Sequence, residues 1–399
     1  MMALTRLNAT LALLIASQIA AAQNHYSPED FQKVGKIDAH LHIHGGADRF
    51  MQLAIRDNVR ILTINVDYPD FPPIADQQRA AVSLLQRYPG RVAFAGTFSV
   101  DNFESPHWAE SAQQQIDAAL KDGAVGIKIW KNIGMSLRDP DGTYVMLDDK
   151  RFAPLFSRLE HAHVVLLGHQ AEPLNCWLPL DQMTVRSDKE YFTEHPQYYM
   201  YEHPQMPSHE SILAARDRML TAHPGLRFDA VHLASLEWDV DKVAAFLDRF
   251  PNADVDLGAR MVHLEFQASR NPAKVRRFLI RYQDRILYGS DVAYGPNDSD
   301  PHALEEVHSG WVLDWRFLVT ADQLHSPDFP QAFNGLHLPR QVVDKIYFRN
   351  AEVLFPGAWA NSSVSRDSTT APRYPMKLRL DDSSLSAWKV NHARPEFAR

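Results

Sequence analysis

The chain has 399 residues, 45% hydrophobic and 23% charged, the composition of a folded globular protein with material for a large core. A formal charge of −8, with no Lys/Arg block and no RNA-binding signature, argues against nucleic acid as a partner. The single cysteine, Cys176, excludes an intrachain disulfide, so stability must come from burial.

The first segment reads "MMALTRLNATLALLIASQIAAAQ". One basic residue, Arg6, precedes a short apolar stretch, and Ala20-Ala21-Ala22 closes it before Gln23. That order predicts a signal peptide over residues 1–22, cleaved near Ala22, and a periplasmic or secreted protein. Ser17 and Gln18 interrupt the apolar run, which is then too short to span a bilayer. No later segment is long and apolar enough, so no membrane partner is expected.

Apolar runs then recur, each followed by a helix-like stretch. They are "KIDAHLHI" (36–43), "VRILTINV" (59–66), "VAFAGTFSV" (92–100), "AVGIKIW" (124–130), "VVLLGHQ" (164–170), "RFDAVHLAS" (227–235), "ADVDLGA" (253–259) and "RILYGSDV" (285–292). Continuous apolar runs suit parallel strands buried on both faces. Between them, Phe152, Leu155, Phe156 and Leu159 recur with helical spacing. So do Val240, Val243, Ala244 and Leu247, and Val275, Phe278, Leu279 and Tyr282. Asn271-Pro272 reads as the cap and first turn of the last of these. A final helix is expected over residues 341–354.

Eight alternations of strand and helix specify an α/β fold, either a closed (β/α)8 TIM barrel or a long doubly wound sheet. The second would want a G-x-G-x-x-G turn after an early strand, and none is present, so the barrel is preferred. Long loops are expected after strand five (171–207) and strand eight (293–339). The barrel domain is read as residues 23–357, and residues 358–399 as an extended C-terminal arm.

His40 and His42 stand one pleat apart in the first strand and so project to one face. Two imidazoles so placed can share a cation at about 2.0–2.1 Å per Zn–N bond. A packed core explains them poorly, because each ring nitrogen still needs a partner. His169 ends strand five, His232 strand six and Asp291 strand eight, and Lys128 lies in strand four. In a barrel these ends meet at one mouth, gathering imidazoles and a carboxylate that suit a divalent metal. Such a metal lowers the pKa of its water from 15.7 to roughly 7. His44, His161, His163, His195, His203 and His263 are read as non-ligands.

"IDAHLH", the two later histidines and "YGSD" together resemble the amidohydrolase superfamily, closest to its amidohydrolase-related branch of lactonases and aminocarboxymuconate-semialdehyde decarboxylase-like enzymes. The resemblance covers about residues 36–354. It implies His40, His42, His169 and Asp291 as metal ligands. His232 would polarise the substrate or position the attacking water, and Asp291 would also shuttle the proton. It implies one divalent metal, zinc by default with manganese or iron also fitting; Lys128 lies where binuclear members carry a bridging carboxylated lysine. An ordinary buried lysine paired with a carboxylate stays open beside that bridge.

Other polar and aromatic residues lie at the same rim. Arg260 could clamp a substrate carboxylate or make a structural ion pair. Trp130 and Glu172 are further candidate substrate contacts, with Lys131, Asn175 and Trp177 beside them. The expected function is metal-dependent hydrolysis of a lactone, ester or amide of a small polar or aryl substrate. Non-oxidative decarboxylation or hydration of an unsaturated or aromatic acid is the alternative. A binding module on a degenerate barrel is the third reading, and a homo-oligomer is compatible with all three.

Overall fold

A computed structural model describes residues 24–296 and 301–360. The proposed leader lies outside them, as does the arm from residue 361 onward. Parallel strands follow the expected order: β1 Lys36–Ile43, β2 Val59–Ile64, β3 Val92–Thr97, β4 Gly126–Ile129, β5 Val165–Gly168, β6 Phe228–Ala230, β7 Ala253–Asp256 and β8 Ile286–Leu287. A further parallel strand, β9 Val292–Tyr294, pairs with β1 in the register Leu41↔Val292, His42↔Ala293 and Ile43↔Tyr294. The sheet order runs from β8 through β7 to β1 and then β9. Since β8 leads directly into β9, the ring closes on itself. Hydrogen bonds from Ala39 N to Tyr288 O (2.9 Å) and from Asp291 N to His40 O (2.7 Å) seal the join. The fold is a (β/α)8 TIM barrel.

Side chains divide by strand face. Leu41, Ile61, Phe94, Ile127, Leu166, Phe228, Val255 and Ile286 pack outward with helix residues such as Phe50, Ile116, Phe156 and Leu279. Ile37, Leu62, Ile64, Ala93, Leu167 and Leu287 form a second cluster with Leu354, Phe355 and Trp359. Phe355 lies where a β-carbon on Gly126, the first residue of β4, would meet it at 3.4 Å. Trp359 donates to Ile61 O at 3.1 Å. The chain after the last helix therefore plugs the barrel at the strand starts, and the opposite end is left for polar residues. Trp359, read as part of the arm, belongs to the packed body.

The expected helices form at Ala153–His161, Val240–Arg249 and Pro272–Arg281. Asn271 caps the third, its side chain accepting from Lys274 N. The last helical stretch runs from Arg340–Asp344 through the wide turn Lys345–Arg349 to Asn350–Leu354.

Most of the strands are shorter than predicted, and the sixth and eighth end earliest, each for a reason tied to its polar end. The sixth stops at Ala230, and His232, Leu233, Ala234 and Ser235 then take φ of 60°, 55°, 59° and 51°. Four consecutive left-handed residues without glycine cost about 1–2 kcal/mol each. The eighth breaks between β8 and β9, where Ser290 N is drawn to Asp38 Oδ1 (2.9 Å) and Asp291 takes φ 65°. Such strain persists where surrounding contacts over-determine it.

The two long insertions are structured. Residues 171–207 hold the helix Arg186–Glu194 and a small core of Cys176, Phe192, Tyr199 and Met200. Burial pushes the Cys176 thiol well up, which suits a packed residue rather than a nucleophile. The second insertion holds the helix Pro301–Val319 and a hairpin of β10 Gln323–Ser326 and β11 Phe329–Asn334. The insertions meet at Asp328, which accepts from Ser187 N at 2.7 Å and, through its carbonyl, from Arg186 N at 3.0 Å. No helix among the described residues is long and apolar enough to cross a membrane.

Burial pushes the Asp314 carboxyl up to about 7, the Tyr288 hydroxyl opposing and the Asp38 charge adding to it. An unfolded aspartate ionises near 3.9. The stability this group contributes is present below that value and is lost as pH rises toward 7. Asp314→Asn is expected to flatten the fall in urea midpoint between about pH 4 and pH 7. An unchanged slope refutes the assignment.

Candidate active site

His40 and His42 share the inner face of β1, and His40 is fully enclosed. It fits because two glycines stand against it. A β-carbon at Gly258 would lie 2.9 Å from His40 Nδ1, and one at Gly289 would lie 2.8 Å from His40 Cβ. The glycines of "DLGA" and "YGSD" are thus space for the imidazole.

Three imidazoles are held alike. His40 Nδ1 lies 2.6 Å from Asp256 Oδ2, His42 Nδ1 lies 2.8 Å from Ile64 O, and His232 Nδ1 lies 2.8 Å from Gly258 O. Each acceptor fixes the proton on Nδ1 and leaves a lone pair on Nε2. Asp291 Oδ1 is 3.3 Å from His40 Nε2 and 3.2 Å from His42 Nε2. His40, His232 and Asp291 each offer a ligand atom within 4.8 Å of the others, so the three could hold a metal ion. His169 joins through His232, with ring centres 4.3 Å apart, and its Nε2 has no hydrogen-bond partner among the described residues. His44 turns aside to meet Phe71 at 4.1 Å between ring centres.

The protonation states suit metal donors. Burial pushes His42 below the usual imidazole range, and His169 and His232 well below it. Burial also pushes Asp291 up, but His232, His40 and His42 outweigh it and hold its carboxyl well below the usual range. Lys128 sits inside the barrel with Nζ 3.3 Å from His40 Nε2. Burial pushes it down to about 8 against the pull of Asp256, Asp291 and Asp229.

The rim candidates separate. Glu172 is buried and ion-paired with Lys131, so its charge is already engaged. Trp130 is buried against Tyr68, ring centres 4.4 Å apart, with Lys131 Nζ 5.1 Å from its ring centre. Trp130 lines a cleft of about 700 Å³ together with Asp67, Tyr68, Phe71 and Asn132. Phe71 stands between that cleft and His42. Arg260 is 6% exposed, yet its one side-chain hydrogen bond among the described residues goes to Ala259 O, and Nε has no partner.

Sequence reading missed Asp256. Its carboxylate is fully buried in β7, touching His40 through Oδ2 and accepting from His232 N (2.8 Å) and Gly258 N (3.1 Å) through Oδ1. The signal was there in "ADVDL": a carboxylate alternating with apolar residues in a strand buried on both faces.

A family model described as amidohydrolase, Amidohydro_2, matches residues 37–357. The chain belongs to the amidohydrolase family. It is an enzyme of that metal-dependent superfamily, and the matched span takes in every strand of the barrel. Solved structures similar to this amidohydrolase include an uncharacterised TIM-barrel protein of Bordetella bronchiseptica, with 14% identity over 82% of this chain and 99% of that one, TM-score 0.45. A 2,6-dihydroxybenzoate decarboxylase from Rhizobium shows 14% identity over 80% and 98%, TM-score 0.45. A 4-oxalomesaconate hydratase from Rhodopseudomonas palustris shows 11% identity over 77% and 80%, TM-score 0.42. The search of curated proteins gave no match.

Proposed function

We propose that this amidohydrolase is an exported metal-dependent hydrolase that adds water to the carbonyl of a lactone, ester or amide in a small polar or aryl substrate. The observation that carries it is the shared orientation of His40, His42 and His232, each tied at Nδ1, around the one carboxylate of Asp291. Neutral nitrogen donors with one carboxylate suit zinc, with manganese or iron as lesser fits. His40, His42, His169 and Asp291 would hold one such ion. When bound, it supplies Lewis-acid polarisation and a water acidified to near-neutral pH. His232 then faces the substrate oxygen from the β6 end, and Asp291 moves the proton from the attacking water to the leaving group. Lys128, beside His40, favours one ion if it stays an amine and a second ion if it is carboxylated.

Arg260 supports a refinement. Among the described residues its guanidinium makes no ion pair within 4.0 Å, although Asp188 and Glu237 feel its charge, and an anionic substrate group would add a direct partner. That observation keeps the alternative alive, since decarboxylation and hydration of unsaturated acids also start from carboxylates. Export rests on the leader-like segment, with a single buried thiol in keeping. The proposed partner is a small molecule, with homo-oligomers compatible.

The test is metal analysis of protein purified without chelator, followed by a screen of lactones and aryl carboxylates with and without Arg260→Lys. One equivalent of metal and acid release without CO2 are expected, with Arg260→Lys weakening carboxylated substrates most. CO2 release favours the lyase reading. Protein without metal that added Zn²⁺ or Mn²⁺ does not activate overturns both.

A further inference from the structure

We infer that Asp256 is a positioning residue that sets the tautomer of His40 and the placement of His232 for metal binding. The inference rests on the metal-centre reading above.

Asp256 lies in β7, a strand to which that reading assigns no role. Its two oxygens divide the work. Oδ2 faces His40 Nδ1 at 2.6 Å. Oδ1 accepts from His232 N at 2.8 Å and from Gly258 N at 3.1 Å. The Gly258 carbonyl in turn receives His232 Nδ1 at 2.8 Å. One carboxylate therefore orients the His40 ring directly and the His232 ring through the Gly258 peptide. It also anchors the first residue of the strained left-handed turn, His232 at φ 60°.

An ionised carboxylate only accepts, so Nδ1 of His40 carries the proton and Nε2 the lone pair. Two groups face that Nε2 at 3.3 Å: the Lys128 Nζ donor, which agrees with this tautomer, and the Asp291 carboxylate, an acceptor that pulls the other way. Ile64 and Gly258 carbonyls impose the same tautomer on His42 and His232 without any help from a carboxylate. Only the tautomer of His40 is set by Asp256; for His232 the carboxylate sets placement.

Asparagine separates positioning from space filling. Oδ1 must still accept two backbone N–H groups, so the amide oxygen takes that place and the NH2 faces His40. An amide NH2 only donates. Nδ1 of His40 must then accept, and its proton moves to Nε2, where it blocks the lone pair a metal needs. Asp256→Asn is nearly isosteric, so packing is kept while the tautomer inverts.

The measurement is ¹⁵N-histidine NMR of the metal-free protein at pH 8, wild type and Asp256→Asn, with metal titration of both by equilibrium dialysis against Zn²⁺. Wild-type His40 is expected to carry a proton on Nδ1; the variant is expected to show Nε2–H and a bare Nδ1 at His40, with His42 and His232 unchanged. Zn²⁺ affinity should fall about 10–100-fold. A wild-type His40 without a proton on Nδ1 overturns the inference even if the variant does not fold. So does a folded variant with His40 unchanged and affinity within twofold. If the wild type shows the expected tautomer but binds no Zn²⁺, the metal-centre reading fails and Asp256 is left without a metal to position for, which overturns the role stated above.

Discussion

Asp291→Asn is expected to lower turnover by about 10²–10⁴-fold while leaving the protein folded. Asp291 is the one carboxylate facing both β1 imidazoles, at 3.3 Å and 3.2 Å, and the surrounding histidines hold it ionised. An amide there offers no charge to a cation and cannot take up a proton from water. The backbone is indifferent to the change, because φ 65° is a region asparagine tolerates about as well as aspartate. The hydrogen bond from Asp291 N to His40 O does not involve the side chain. His40→Ala should be as damaging to turnover. It also leaves Asp256 and Lys128 buried without their shared partner, so it costs stability where Asp291→Asn does not. Turnover and thermal melting of the two variants check this together. A folded Asp291→Asn protein with wild-type turnover would remove Asp291 from the chemistry.

The barrel was legible because its strands are apolar on both faces and its helices on one. The histidines were legible because a polar side chain inside such a run has no solvent to satisfy it. The early ends of β6 and β8 were not. "HLAS" is as apolar as a strand, and its left-handed path is imposed by Asp256 holding His232 N, by Ser235 Oγ donating to Ala171 O, and by Arg216 donating to Ala234 O. Those partners lie far away in sequence. The break before Asp291 likewise depends on Asp38, which accepts from Ser290 N and Trp311 Nε1. Asp256 escaped notice for a different reason. Its role lies in which atoms it meets across the barrel, and strand alternation says only that it points inward.

His232→Asn is the second large loss expected, again about 10²–10⁴-fold in turnover, with most of the metal retained. On the proposed ligand set, His40, His42, His169 and Asp291 are left to hold the ion in that variant. Asparagine accepts the φ of 60° at this position, so the turn after β6 and its anchor on Asp256 Oδ1 survive. Geometry also permits another outcome. His232 is tied at Nδ1 just as His40 and His42 are, and its ligand atom lies within 4.8 Å of those of His40 and Asp291. His169, by contrast, meets the group through the His232 ring. If His232 ligates directly, metal content falls in step with activity, and His169 or a carboxylated Lys128 must complete a second ion. Elemental analysis of the variant beside its turnover decides between the two. Metal retained with activity lost makes His232 the group that faces the substrate. Metal and activity lost together move it into the coordination sphere and bring Lys128 with it.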